Sequence, residues 1–187
     1  MKRDEFEKEL HENHKKSYQW ALSICKNPEL AEEILQESYL KALNSLDNFS
    51  SKSSFKTWLF SIIKNTSYDY FRKQSRRQEL DEDFLRGEKK SKTASQERRF
   101  RQKGDKEAAT YLLEQLSKRE REVIELVIYQ GLKIKEADEV MGVSLGSASS
   151  YLKRAKKSLK GHVLKERQNP KGPSFEQTFT HHIKKSA

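Results

Sequence analysis

The stretch VSLGSASSYLKRAKKSLK, residues 143–160, decides how the rest of the chain is interpreted. Its apolar residues recur at a helical spacing and form a narrow stripe that would pack on a neighbouring helix. The remaining surface is polar at the start and cationic along the shaft, with no acidic residue. Such a helix fits the major groove of DNA, with its cations directed toward phosphates. A lysine-rich helix that is merely solvated would give the same pattern.

The residues before this stretch favour DNA binding. Ser117 to Glu120 has the form of a capping box and predicts a helix start, and Gly131 predicts the end of that helix. Residues 133–141, KIKEADEVM, predict a short helix, and Gly142 supplies a turn before the basic helix. A short helix, a glycine turn and a basic helix in this order are typical of a helix-turn-helix.

The first part of the chain predicts three more helices, over about residues 4–25, 28–47 and 55–74. Asn27 is the expected N-cap of the second helix, which carries an outward-facing acidic band and an inward-facing apolar stripe that includes Leu43. That band is either a solvated face or a docking surface for a basic partner. The third helix follows a polar loop, residues 48–54, and interleaves aromatic with basic side chains. Such a mixture suits stacking on unpaired bases beside a phosphate track, although core packing would also use these rings.

Composition predicts an all-α protein with two small helical domains joined by a charged, flexible linker. Of the 187 residues only 34% are hydrophobic and 35% are charged, which is poor material for one large core. The net charge is +10, from 38 basic and 28 acidic residues, and it is consistent with a nucleic-acid partner. The predicted divisions are a first domain, a linker, a second domain and a mobile tail at residues 1–75, 76–107, 108–160 and 161–187.

Several function classes are disfavoured. The sequence shows no carboxylate pair, metal-ligand cluster or phosphate-cradling glycine loop with supporting context, so we predict no enzymatic activity, no cofactor and no metal site. The single cysteine, Cys25, excludes an intramolecular disulfide and is expected to be a buried thiol. No apolar run approaches a membrane span, and a cytoplasmic protein is the default expectation.

Two segments together resemble a known family. AEEILQESYLKAL (31–43), DNFSSKSSF (47–55) and FKTWLFSIIKNTSYDYFRK (55–73) resemble region two of bacterial sigma factors. LSKREREVIELVIYQGLKIKEADEVMGVSLGSASSYLKRAKKSL (116–159) resembles region four. The lack of an intervening region three points to the extracytoplasmic-function group of the sigma-70 family. The resemblance implies an alternative sigma factor that binds core RNA polymerase, recognises the −10 and −35 promoter elements and helps to melt the duplex.

The resemblance also implies roles for individual residues. The acidic face of the second helix would bind the clamp helices of the largest polymerase subunit, through Glu33, Gln36 and Glu37. The loop around residues 48–54 would capture a flipped base of the −10 element. Residues of the loop and the third helix would contact that element, namely Phe49, Lys56, Trp58, Lys64, Asn65, Asp69 and Arg72, with the two lysines assigned to phosphates from their charge. The basic helix would contact the −35 element, through Ser147, Ser149, Ser150, Tyr151, Lys153, Arg154 and Lys157.

Further partners implied by the resemblance are the polymerase flap, for the second domain, and an anti-sigma factor. The recognition tip departs from the family, which often has Thr-Val-Lys-Ser-Arg where this chain has Ser147-Ala-Ser-Ser-Tyr151. The promoter preference of the family therefore does not transfer to this chain. Three alternatives stay open: a stand-alone helix-turn-helix regulator, a nucleic-acid enzyme, and a sigma-like protein that binds polymerase but no promoter.

Overall fold

The computed structural model describes residues 1–49, 52–84, 113 and 115–168, and every regular element in these ranges is helical. A 3-10 turn at Leu46–Asn48 follows the second helix, and a π-helical segment at Glu125–Tyr129 continues the fourth. The predicted all-α class is confirmed. Within these ranges the α-helices are α1 (Arg3–Cys25), α2 (Pro28–Asn44), α3 (Phe55–Phe84), α4 (Lys118–Ile124), α5 (Ile134–Met141) and α6 (Ser147–Gln168).

The described residues fall into two compact units. The first unit contains α1, α2 and α3 together with Leu132–Leu145, which includes α5; the second contains α4, the π-helical segment and α6. The predicted domain limits stay predictions. Most of the predicted linker, 76–107, and most of the predicted tail, 161–187, lie outside the described residues.

Local capping signals set the helix starts in the first unit. Asn27 Oδ1 accepts a hydrogen bond from Leu30 N at 3.0 Å, with Pro28 at the first turn of α2, which confirms the predicted N-cap. Ser54 Oγ accepts from Thr57 N at 3.2 Å at the start of α3. These side chains satisfy main-chain N–H groups that have no partner within the helix.

The helix ends were harder to predict than the starts. The second helix was expected to reach Asp47, but α2 stops at Asn44 and the 3-10 turn takes over. The third was expected to end near Gln74, but α3 continues to Phe84. Apolar periodicity fades in this extension, yet its Arg, Glu, Gln and Leu residues are good helix formers, and intrinsic propensity sustains the helix.

The core of the first unit is centred on Trp20 of α1. Its side chain is 2% exposed and stacks on the ring of Phe60 with centroids 5.9 Å apart. The indole Nε1 also donates to the main-chain oxygen of Phe60 at 3.1 Å, so the polar edge of this large ring is satisfied inside the core. Ile34 of α2 and Leu59 and Ile63 of α3 complete the core and are fully buried.

The second unit is held by the apolar stripe of α6. Ala155 and Leu159 pack against Leu116 and Ile124 in one buried cluster. The predicted capping box at the start of α4 is confirmed, with Glu120 Oε2 accepting from the main-chain N of Ser117 at 3.0 Å. Because one stripe of α6 is buried, its opposite face is left to solvent.

Candidate nucleic-acid and polymerase interfaces

The predicted docking face of α2 is accessible. Glu33 and Gln36 are exposed, and Glu37 pairs with Lys41, its Oε1 lying 2.7 Å from Nζ. The same side of the helix continues into Leu40, which is 63% exposed, because residues three, four and seven apart share a face. The predicted acidic band is therefore the first half of a longer face that ends in apolar side chains.

These apolar side chains were not foreseen. Leu40 was assigned to neither face, and Leu43 was expected to point inward, whereas it is 38% exposed. The two leucines therefore extend the accessible face of α2 beyond its charged residues. Helical spacing could have predicted their exposure, because Leu40 and Leu43 follow Glu33 and Gln36, respectively, by seven residues and so lie on the same face.

Aromatic side chains gather where the loop enters α3. The ring of Phe49 lies 4.8 Å from that of Trp58, and both contact Phe55, with centroid distances of 6.1 and 5.7 Å. Phe49 and Trp58 are half-buried, while Phe55 is buried. Phe49 and Trp58 are thus partly open to solvent, and both rings pack on Phe55, which belongs to the core.

Three further −10 candidates lie along α3 at helical spacing. Asn65 is exposed, and one turn further on Asp69 Oδ1 lies 2.8 Å from Arg72 Nη2 in a partly exposed ion pair. This pair holds both side chains on the same side of the helix. An amide, a carboxylate and a guanidinium together offer the donors and acceptors that read base edges.

The two lysines assigned to phosphates differ in their surroundings. Lys56 is half-buried, with Nζ 5.6 Å from the centre of the Phe60 ring. Burial lowers the pKa of Lys56, the positive charge of Lys16 lowers it further, and the carboxylate of Glu136 opposes both effects. Lys64 is only 6% exposed. In this structure its ammonium group is therefore withheld from solvent.

Helix α5 accounts for the burial of Lys64. This helix packs on α3, and Lys64 Nζ donates to the main-chain oxygen of Val140 at 2.9 Å. At the other end of α5, Glu136 Oε1 lies 2.9 Å from Ser54 Oγ and 3.2 Å from Thr57 Oγ1. Sequence reasoning missed both contacts, because the partners are about eighty residues apart along the chain.

The turn between α5 and α6 has the expected glycine geometry. Gly142 has φ 64°, and Val143 N donates to Asp138 O at 3.1 Å, which together form a Schellman-type helix end. Gly146, directly before α6, has φ 82°. Both positions lie in the left-handed region, where glycine avoids the clash that a Cβ would cause.

The −35 candidates line the exposed side of α6. Ser149, Ser150, Lys153, Arg154 and Lys157 are exposed, and Ser147 and Tyr151 are half-buried. The guanidinium carbon of Arg154 lies 4.8 Å from the centre of the Tyr151 ring, a cation–π contact that limits the motion of the arginine. All seven candidates therefore lie on one helix and outside its buried stripe, with Ser147 and Tyr151 at the edge of the exposed face.

The described residues contain no group of three or more His, Cys, Asp or Glu side chains arranged to hold a metal ion. Cys25 is buried, as expected, and burial raises the pKa of its thiol, while a hydrogen bond with Ser67 acts in the opposite direction. Within the described ranges, no helix has the length and apolar character needed to cross a membrane.

Comparison with known proteins identifies the family. Residues 10–77 match the model of sigma-70 region 2, and residues 106–159 match that of sigma-70 region 4. RNA polymerase sigma factor SigV of Bacillus subtilis is 30% identical over 82% of this chain and 89% of its own length. The ECF RNA polymerase sigma factor SigM of the same organism is also 30% identical, over 76% of this chain and 85% of its own.

A solved structure agrees with these relatives. The sigma factor RpoE of Bartonella quintana, in complex with the anti-sigma factor NepR, superposes with a TM-score of 0.64 at 27% identity, covering 85% of this chain and 96% of RpoE. The fold and both matched regions define a transcription-initiation factor, and the chain belongs to the sigma-70 family. Its relatives place it in the extracytoplasmic-function group.

Proposed function

We propose that this sigma factor binds core RNA polymerase, recognises −10 and −35 promoter elements and helps to open the duplex at the −10 element. One observation carries most weight: α6 exposes a face with basic and small polar side chains and no acidic one, opposite its buried stripe. Such a face meets phosphates and base edges in a major groove.

The polymerase contact is proposed for the face of α2 formed by Glu33, Gln36 and Glu37, with Leu40 and Leu43 extending it. In the family this acidic face binds the clamp helices of the largest catalytic subunit. Exposed carboxylates with adjacent apolar side chains suit a basic helical partner, since the charges steer the encounter and the leucines supply the buried area.

Promoter opening is proposed for the aromatic cluster and the polar side of α3. Extruding a base costs a few kcal/mol of unstacking, which stacking on a ring offsets. Phe49 and Trp58 are half-buried rings at the entrance of α3, and Asn65, Asp69 and Arg72 follow along the same helix. Lys56 would hold a phosphate nearby, and Lys64 would do so only after α5 has moved away.

An anti-sigma factor is a further proposed partner. The support is the relative RpoE, whose solved structure is a complex with the anti-sigma factor NepR. Copurification of a small protein with the tagged chain from the source organism, lost when polymerase is in excess, is the expected sign of such a partner.

Run-off transcription tests the proposal. Purified core polymerase and this chain, on fragments of the source genome, should together yield discrete transcripts that neither gives alone. Glu33→Lys should abolish them, while Glu12→Lys, which makes the same charge reversal at an exposed residue of α1, should not. Tight duplex binding without any polymerase-dependent transcript would instead favour a stand-alone regulator. Binding to core without transcripts would favour a sigma-like protein that lacks promoter recognition.

A further inference from the structure

An anionic group from α5 is seated at the N-terminal end of α3. The carboxylate of Glu136 lies within hydrogen-bond distance of the hydroxyls of Ser54 and Thr57, at 2.9 and 3.2 Å from the same oxygen. Its other oxygen accepts from the main-chain N of Lys133 at 2.8 Å. One carboxylate thus closes the start of its own helix and binds the start of another.

The surroundings on α3 favour a negative charge. The start of a long helix carries partial positive charge from its unpaired N–H groups, and two hydroxyl groups project there. Lys56 interacts electrostatically with Glu136 across this site. Burial alone would raise the pKa of Glu136, but the hydrogen bonds from Lys133, Ser54 and Thr57 outweigh it, and the pKa lies below its ordinary value.

A second contact fixes the other end of α5. The ammonium of Lys64, buried under this helix, donates to the main-chain oxygen of Val140 in its last turn. Both contacts use α3 residues on or beside the surface proposed above for the −10 element. Helix α5 therefore covers side chains that can bind a phosphate. Its Glu136 carboxylate lies against Ser54 and Thr57 at one end, and its Val140 carbonyl accepts from Lys64 at the other.

We propose that Ser54, Thr57 and Lys56 form a binding site for a backbone phosphate of the promoter strand, and that Glu136 occupies this site when DNA is absent. Docking of α5 on α3 and binding of DNA at the same place are then mutually exclusive. The proposal rests on the proposed function for the identity of the DNA surface, and it adds the site, its ligand and the competition.

A phosphate diester suits the site for the same reasons as the carboxylate. Each carries a single negative charge shared by two terminal oxygens, and each accepts hydrogen bonds from hydroxyl groups. When the phosphate arrives, Ser54 and Thr57 keep an anionic acceptor. Lys64, whose Nζ donates to Val140 O while α5 is docked, would be open to the strand once α5 leaves.

The competition is measurable with the full chain and a fluorescein-labelled single strand of oligothymidylate, by fluorescence anisotropy. Glu136→Gln should bind the strand about threefold to tenfold more tightly, since a partly exposed charge-assisted contact is lost. Glutamine also supports a capping box, so α5 itself should stay helical. Glu139→Gln is the matched control: it lies exposed on the same helix and removes the same charge. Equal affinities for the two variants would overturn the proposal.

The phosphate site itself is tested by removing its hydroxyls in the Glu136→Gln background. Ser54→Gly retains a permitted N-cap residue, and Thr57→Val is nearly isosteric for a side chain that is fully buried. Together they should cancel the gain in affinity, and circular dichroism checks that both chains remain folded. If the tighter binding of Glu136→Gln persists after both changes, Ser54 and Thr57 do not bind the phosphate and Glu136 does not compete for that site.

Hydrogen exchange gives an independent measurement on the unaltered chain. Saturating oligothymidylate should speed amide exchange in residues 134–141, because DNA displaces α5 from α3. Unchanged or slower exchange there would contradict the competition. Neither measurement uses polymerase or a promoter, so an absence of run-off transcripts would overturn the proposed function while leaving the Glu136 result interpretable.

Discussion

The exposed cations of α6 lead to a quantitative prediction about salt. Lys153 and Lys157 are exposed on the face opposite the buried stripe. If each neutralises one phosphate, they contribute roughly −1.8 to the slope of log affinity against log salt, at about 0.9 per phosphate. A fourfold rise in salt would then weaken this part of the binding about 12-fold. Removing one phosphate contact should reduce the steepness of the slope by about 0.9.

The prediction is tested with Lys157→Ala, by measuring the affinity of the holoenzyme for a −35-containing promoter fragment at several salt concentrations. The other polymerase–DNA contacts contribute equally to the salt dependence of variant and parent, so the difference between the two slopes reports the contact made by Lys157. Over a fourfold salt increase the variant should lose about 3.5-fold less affinity than the parent protein. Because a phosphate contact positions without specifying, the loss at low salt should be similar on promoters of different −35 sequence.

A control separates local contact from net charge. Lys8→Ala removes one cation from α1, where the side chain is 76% exposed. Its slope should match that of the parent protein. If Lys157→Ala leaves the slope unchanged, or if Lys8→Ala alters it equally, the exposed face of α6 does not meet phosphates and the reasoning from its burial pattern is refuted.

Arg154→Ala should weaken −35 binding by about 1 to 3 kcal/mol and relax preference at one base pair, and band-shift titrations with substituted sites should reveal it; retained preference would contradict a base contact. Trp20→Phe should lower the free energy of unfolding by about 1 to 3 kcal/mol, through the lost bond to Phe60 and lost volume, and urea unfolding at parental stability would disprove this. Cys25 should react slowly with iodoacetamide because burial raises its pKa, and labelling of the native chain at the denatured rate would refute that.

Local features of the fold could be predicted from sequence. The N-cap at Asn27 and the capping box at Ser117 depend on residues within one helical turn, so the local sequence is sufficient to predict them. The buried stripe of α6 is likewise a consequence of helical spacing. The end of α3 was predicted wrongly, because the helix continues to Phe84 through residues of high helix propensity that show no apolar periodicity.

Exposure along α2 was only partly predictable. The spacing that placed Glu33 and Gln36 outside places Leu40 there too, but an apolar residue is assigned inward by default in sequence reasoning. Leu43 was misplaced for that reason and is 38% exposed. Which turn of an amphipathic helix meets the core depends on where its neighbours end, and that is a tertiary property.

The contact of α5 with α3 depends on tertiary structure entirely, because its partners are about eighty residues apart along the chain. The ammonium of Lys64 donates to the main-chain oxygen of Val140 in this contact and lies 5.6 Å from the centre of the Tyr68 ring. When α5 leaves α3, Lys64 and the hydroxyls of Ser54 and Thr57 would be open to the DNA strand together. Lys64→Met removes the charge that would meet the strand there, so it should weaken oligothymidylate binding by more than Lys8→Met, which measures the loss of one exposed charge away from the site. Equal losses for the two variants would show that Lys64 does not contact the strand.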